Sequence, residues 1–116
     1  MAEPTIYHNP RCSKSRQTLA LLETNGHSPV VVEYLKTAPS VDQIHTLLKQ
    51  LGLTPLQLMR KGEAVYKELG LGDDSVSDEQ RVAAMAEHPI LIERPIVVSG
   101  DKAAIGRPPE SVLTIL

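Results

Sequence analysis

The chain has 116 residues, of which 41% are hydrophobic and 3% aromatic, and its formal net charge at pH 7 is −2. This length allows one domain with a packed core, which we predict to span residues 1–116. A slightly acidic chain with so few aromatic side chains has neither the basic charge nor the stacking residues typical of nucleic-acid binders, so nucleic acid is not an expected partner.

The chain contains a single cysteine, Cys12. One thiol cannot form an internal disulfide, and a lone thiol is typical of the reducing cytoplasm. The N-terminal residues M-A-E-P-T do not resemble a signal peptide, and no apolar run approaches the roughly 18–20 residues that cross a bilayer. We therefore predict a cytoplasmic monomer without membrane contact, metal or bound cofactor.

The first predicted elements form a strand–helix–strand unit. Thr5–Tyr7 is short and β-prone, and His8-Asn9-Pro10 indicates a turn. A helical pattern begins at Ser13 and meets a stop signal at Asn25-Gly26. The β-branched run Val30–Tyr34 predicts a second strand.

The segment at about residues 40–88 contains three sequence signals for helix N-termini. Ser40 and Ser77 are each followed by Gln three residues later, the spacing of a capping box. Thr54-Pro55 has the N-cap and first-turn preferences of another helix. The three predicted helices end near Leu51, Leu69 and Glu87, and Gly70–Ser75 is a predicted loop.

The C-terminal part predicts a hairpin and a covering helix. Ile96–Val98 and Ala103–Ile105 flank the turn Ser99-Gly100-Asp101, and Pro108 opens a final short helix. The order is therefore β-α-β, a helical insertion, then β-β-α. This order predicts an α/β protein with a thioredoxin-like fold, in which the helical insertion separates the βαβ and ββα halves.

The surroundings of Cys12 predict a reactive thiol. Arg11, Lys14 and Arg16 are close in sequence, and a helix begins next to the cysteine. Cations and a helix N-terminus both favour the thiolate, which is the nucleophilic form. The alternative is a buried, unreactive cysteine, which these polar and cationic neighbours disfavour.

Ser15 stands where a dithiol oxidoreductase has its second cysteine. Without a resolving thiol the chain cannot close its own disulfide. A redox cycle therefore needs an external thiol, such as glutathione or glutaredoxin. Ser15 can also serve as a first-turn residue that satisfies a free amide, and the two roles are compatible.

Arg94 and Arg107 have contexts that differ from ordinary surface arginines. Arg94 precedes Pro95 and an apolar strand, where a thioredoxin-like fold places its cis-proline beside the thiol. Arg107 follows Gly106 at the end of the hairpin. From this placement we expect both arginines to face the Cys12 loop. Their planar, bidentate donors suit a tetrahedral oxyanion better than lysine does.

Four separated motifs then occur in order: H-N-P-x-C-x-x-S-R-x-T-L from His8, M-R at residues 59–60, E-R-P-I-V-V from residue 93, and I-G-R-P-P-E from residue 105. Together they resemble the glutaredoxin-coupled arsenate reductase family over essentially the whole chain. Ser13-Lys14 replaces the Gly-Thr of well-characterised members, and the chain is more similar to the short, arsenate-reductase-like branch.

The resemblance implies an activity and a set of site residues. It implies that Cys12 attacks arsenate, and that His8 and Ser15 support this reaction. It implies an oxyanion pocket formed by Arg60, Arg94 and Arg107. The implied reaction reduces arsenate to arsenite through a covalent Cys12–arsenate intermediate, with glutathione as co-substrate and glutaredoxin as partner.

Other readings of the same motifs remain open. The chain can be a glutathione-linked thiol oxidoreductase with a different substrate. It can also be a non-enzymatic RNA-polymerase-binding regulator of this fold, but that branch resembles a Cys-x-x-Cys switch or lacks the full arginine set. A phosphatase-like arsenate reductase is disfavoured, because it needs Cys-x5-Arg and residue 18 is Thr.

Overall fold

The computed structural model describes residues 3–116. Contacts divide the chain into two compact units: the first comprises the N-terminal part up to Thr37 together with Arg94–Leu116, and the second comprises Ala38–Glu93. The second unit includes the segment for which a helical insertion was predicted. That the whole chain forms one domain stays a prediction.

The first unit contains a four-stranded sheet. Its elements are strand β1 (Thr5–Tyr7), helix α1 (Ser13–Thr24), strands β2 (Val30–Val32), β3 (Ile96–Ser99) and β4 (Lys102–Ile105), and a 3-10 helix, Pro109–Ile115. The strand order is β2-β1-β3-β4. β1 pairs parallel with β2 and antiparallel with β3, and β3 pairs antiparallel with β4. This topology confirms the predicted α/β, thioredoxin-like fold.

The apolar core of the first unit lies between the sheet and the helices. Ile6, Leu22, Val97 and Val112 are fully buried there. The buried side chains of α1 are Ser15, Thr18 and Leu22, which share one helix face at spacings of three and four residues. This face is apolar toward the helix C-terminus and polar toward its N-terminus, where Cys12 lies.

The second unit is helical. Its elements are α2 (Val41–Leu51), α3 (Pro55–Leu58), α4 (Ala64–Glu68), α5 (Asp78–Glu87) and a 3-10 turn, Pro89–Leu91. The capping boxes at Ser40, Thr54 and Ser77 are all formed, and Gly52 ends α2 at a φ of 69°. The predicted bounds of α2 and α5 are confirmed. Within residues 3–116, no helix combines the length and apolar character needed to cross a membrane.

Three predicted elements differ from the observed ones. β2 ends at Val32 rather than Tyr34, because β1 offers partners only to Val30–Val32. The helix predicted from Thr54 to Leu69 is interrupted, because Met59 leaves it to form an antiparallel bridge with Ile92. The final helix is a 3-10 helix, and the Ser111 amide donates to the Pro108 carbonyl three residues earlier at 3.0 Å.

Candidate active site

Cys12 is the N-cap residue of α1, at the end of the segment that joins β1 to this helix. We call residues 8–12 the thiol loop. Its backbone is fixed internally, since the Cys12 amide donates to the Asn9 carbonyl and the Arg11 amide to Asn9 Oδ1, both at 3.0 Å. Within the described residues, the Cys12 side chain makes no capping hydrogen bond. The half-buried sulfur is therefore not used to satisfy a helix amide.

The sulfur contacts the guanidinium group of a residue 95 positions away. Arg107 Nη2 lies 3.5 Å from Cys12 Sγ. The same guanidinium is oriented by its Nε, which donates to the Arg94 carbonyl at 2.8 Å. A guanidinium at this distance is placed to bind an anion beside the sulfur. The expectation that Arg107 faces the Cys12 loop agrees with this contact.

Gly106 allows the end of β4 to approach α1. A Cβ atom at this position would lie 2.5 Å from Thr18 Oγ1 and 2.8 Å from Pro95 Cγ, closer than a side chain tolerates. The Gly106 amide donates to the Pro95 carbonyl at 2.9 Å. Gly106 thus brings the following residue, Arg107, to the thiol loop. Sequence reasoning missed this role, although a glycine directly before a site arginine was the available signal.

His8 and Ser15 form a buried polar pair behind the thiol loop. His8 Nδ1 lies 2.6 Å from Ser15 Oγ, which also accepts a hydrogen bond from the Asn9 amide at 3.0 Å. Burial lowers the pKa of His8 below its ordinary value; Glu33 opposes this shift and the positive charge of Arg16 adds to it. His8 is therefore neutral at pH 7, and the pair fixes the loop without adding charge.

Arg94 and Pro95 connect β3 to the site. The Arg94–Pro95 peptide bond is cis, as is the Arg107–Pro108 bond. The Nε and Nη1 atoms of Arg94 are shielded from solvent. Its backbone carbonyl is the group that orients Arg107. The structure therefore groups the predicted site residues Cys12, His8, Ser15, Arg94, Pro95 and Arg107 in the first unit.

Arg60 belongs to the second unit. It follows α3, and its backbone amide donates to the Leu91 carbonyl at 2.7 Å. Its guanidinium group lies between two carboxylates, with Nη1 3.2 Å from Glu63 Oε2 and Nε 3.8 Å from Glu93 Oε1. These carboxylates orient the arginine and also neutralise part of its charge.

The described residues offer thiol and cationic chemistry. Among residues 3–116, no group of three or more His, Cys, Asp or Glu side chains is placed to hold a metal ion. The sulfur of Cys12 and the guanidinium of Arg107 are the groups in contact. A nucleophile beside a fixed cation can attack an anionic electrophile, because the cation offsets the repulsion between the two negative charges.

The chain is similar to proteins of known sequence and structure over nearly its full length. It is 51% identical over 112 residues to a protein named arsenate reductase from Haemophilus influenzae, covering 96% of this chain and 97% of that protein. It is 55% identical over 112 residues to the uncharacterized protein YfgD of Escherichia coli K12, covering 96% and 94%. A solved structure titled arsenate reductase from Vibrio cholerae superposes with a TM-score of 0.96 at 58% identity, covering both chains completely.

The family relationship extends across the site. Residues 7–115 match the model of the ArsC family. This range includes the whole thiol loop and all three predicted site arginines. The chain therefore belongs to the ArsC family.

Proposed function

We propose that this chain is an arsenate reductase that reduces arsenate to arsenite, using glutathione and glutaredoxin. The observation that carries the proposal is the contact between Arg107 Nη2 and Cys12 Sγ, at 3.5 Å, at the start of α1. Relatives that are named arsenate reductases support arsenate as the substrate.

The electrostatics of the reaction explain why an arginine belongs beside the nucleophile. A thiolate and an arsenate anion repel each other, by about 4 kcal/mol for two unit charges at 4 Å and an effective dielectric constant of 20. A fixed guanidinium offsets this repulsion and binds oxyanions through two parallel N–H donors. We assign this role to Arg107, and on the family resemblance also to Arg94 and Arg60.

In the proposed reaction, two thiols supply the two electrons that reduce one arsenic atom. Cys12 sulfur displaces one oxygen of arsenate, which leaves as water, and forms a sulfur–arsenic bond. Glutathione then supplies the second thiol, and the two sulfurs become a Cys12–glutathione disulfide. Arsenic(V) gains the two electrons that the sulfurs lose and leaves as arsenite. Glutaredoxin removes glutathione from Cys12 by thiol–disulfide exchange.

His8 and Ser15 have a supporting role in this proposal. The neutral imidazole and the serine hydroxyl hold the thiol loop through the 2.6 Å contact and the bond from the Asn9 amide. Neither group needs to exchange a proton with solvent during this task. The pair therefore keeps Cys12 at the start of α1 while the sulfur changes its bonding partner.

The proposal is tested by arsenate turnover in a coupled assay with glutathione, glutaredoxin, glutathione reductase and NADPH. The wild type should consume NADPH with arsenate, and Cys12→Ser should be inactive. The Ser13→Ala variant is a matched control at the neighbouring exposed position. Turnover at background level in the wild type, or full turnover with thioredoxin alone, would contradict the proposal. A wild type that still exchanges disulfides with glutathione but ignores arsenate would indicate a glutathione-linked oxidoreductase with another substrate.

A further inference from the structure

A cavity of about 190 Å³ borders the thiol loop. One wall is formed by residues 8–11 of this loop, and the other by Glu33, Leu35 and Lys36, which follow β2. We call it the side cavity. None of the site roles described above uses Glu33, Leu35 or Lys36. The side cavity is therefore a feature of the first unit that the proposed chemistry leaves unexplained.

The size and lining of the side cavity suit one end of a small peptide. Sites for whole drug-sized ligands have volumes of about 300–1,000 Å³, so about 190 Å³ accommodates only part of such a molecule. Pro10 and Leu35 supply apolar wall, and Leu35 is 41% exposed. Apolar surface of this kind can pack against methylene groups of a bound ligand.

The charged residues of the side cavity form a distinctive set. Arg11 and Lys36 are cations, Glu33 is an anion, and His8 is neutral because burial lowers its pKa. Lys36 Nζ lies 3.5 Å from Glu33 Oε1, and the lysine side chain is 78% exposed. An exposed ion pair of this type contributes only about 0–1 kcal/mol. A ligand can therefore break this ion pair at little cost, so that Lys36 and Glu33 each bind a charged group of the ligand instead.

We propose that the side cavity binds a thiol peptide carrying two carboxylates and one ammonium group, the charge set of glutathione. Two cations and one anion in the wall are complementary to two anions and one cation in such a ligand. The end that carries the ammonium and one carboxylate lies in the cavity at Glu33 and Lys36, while Arg11, next to Cys12 in the chain, binds the carboxylate of the other end. This inference rests on the proposed function only in that both require an external thiol.

The position of the side cavity in the chain supports delivery of the ligand to Cys12. Arg11 lines the cavity and directly precedes Cys12, so their Cα atoms are about 3.8 Å apart. A tripeptide extends at most roughly 10 Å. A ligand anchored on the thiol loop by one terminus can therefore present its sulfur to the adjacent cysteine.

The exchange between Cys12 and glutathione disulfide isolates this step from arsenate chemistry. The Cys12 thiolate attacks one sulfur of the disulfide, so a Cys12–sulfur bond forms while the sulfur–sulfur bond breaks. One glutathione leaves as the thiolate. Cys12 sulfur is oxidised and the leaving sulfur is reduced, so no further reductant or oxidant is needed.

The test measures the peptide preference of the full chain. This is the rate constant for Cys12 modification by glutathione disulfide, divided by that for neutral 2-hydroxyethyl disulfide, both followed by intact mass. The division removes any effect of a variant on the thiol itself. In the wild type this ratio should be several-fold higher for glutathione disulfide than the same ratio measured for the disulfide of N-acetylcysteine. Lys36→Ala should lower it about two- to fivefold, while Lys102→Ala, an exposed lysine of β4 outside the side cavity, should not.

Glu33→Gln separates a built site from general electrostatic attraction. Glutathione disulfide is anionic, so a purely long-range attraction would strengthen when a negative charge is removed. A site in which Glu33 binds the ammonium group predicts the opposite, a fall in the peptide preference of about two- to fivefold. A rise of the peptide preference in Glu33→Gln, an unchanged preference in Lys36→Ala, or a wild-type preference for glutathione disulfide equal to that for the disulfide of N-acetylcysteine would each overturn the inference. No arsenate is present, so these outcomes are independent of arsenate turnover.

Discussion

The two units contain arginines with contrasting surroundings. One is placed to stabilise the fold, and the other is placed to meet a substrate. Arg81 of α5 is buried in the second unit, where Nε and Nη2 donate to the Leu71 and Asp73 carbonyls at 2.9 and 3.0 Å. Arg107 of the first unit is exposed and has one nitrogen on a backbone carbonyl and another on a sulfur. A guanidinium occupied by carbonyls holds a loop, whereas one that faces a nucleophile through an exposed edge can also meet a substrate.

The largest expected effect is on arsenate turnover by Arg107→Ala. Loss of one transition-state donor costs about 2.7–4 kcal/mol, which lowers turnover about 10²–10³-fold. Stability should change by less than about 0.5 kcal/mol, because the residue is exposed. Arg107→Lys should recover turnover only in part, because lysine lacks the bidentate geometry. Near wild-type kinetics in Arg107→Ala would contradict the role of Arg107 in turnover, which is what distinguishes it from Arg81.

Arg81→Ala should show the reverse pattern. Its loss leaves the Leu71 and Asp73 carbonyls without these donors, and we expect the free energy of unfolding in urea to fall by about 2–3 kcal/mol. Turnover per folded molecule should stay within about twofold of the wild type. A folded Arg81→Ala protein that has lost arsenate turnover would show that Arg81 does more than stabilise the fold.

Gly106 and Gly62 sharpen the same contrast at the level of packing. Gly106→Ala forces a Cβ against Thr18 and Pro95, which should cost about 1–3 kcal/mol of stability and slow alkylation of Cys12 by displacing Arg107. Gly62 of the second unit has open space at its Cβ position, so Gly62→Ala is the matched control. Urea unfolding and iodoacetamide rates measure the two effects. Equal behaviour of the two variants would contradict the close approach at Gly106.

The smallest expected effect is a pH dependence of the free energy of unfolding that is caused by His8. Burial lowers its pKa in the folded state, while the unfolded value is about 6.5. Between these two values the unfolded chain binds a proton that the folded chain does not. The free energy of unfolding therefore falls as the pH falls through this window and rises again with increasing pH. His8→Gln should flatten this part of the profile in urea titrations, and an unchanged slope would contradict the assignment.

The sequence predicted local features of both units well and long-range features less well. The bounds of α2 and α5 follow from capping boxes, which involve residues three apart. The break after α3 was not predicted, because it depends on a bridge between Met59 and Ile92. The same limit applies to the site, since spacing along the chain does not reveal that Gly106 must pack on Thr18 and Pro95.

The predicted site residues divide in the same way. Cys12 could be identified from its neighbours, because a helix start and nearby cations are local signals. The contact of Arg107 with Cys12 Sγ joins residues 95 positions apart, and it was expected only through the predicted fold and the family resemblance. The oxyanion roles of Arg60 and Arg94 stay predictions, and Arg60 carries two carboxylate contacts that no sequence pattern indicated.

The separation of Cys12 and Arg107 also has a consequence during translation. The thiol leaves the ribosome 95 residues before its guanidinium partner, an interval of about 5–19 s at about 5–20 residues per second. Throughout that interval the contact between Cys12 Sγ and Arg107 Nη2 cannot form. The order of synthesis therefore completes the candidate site only after the hairpin and the residue that follows it have been made.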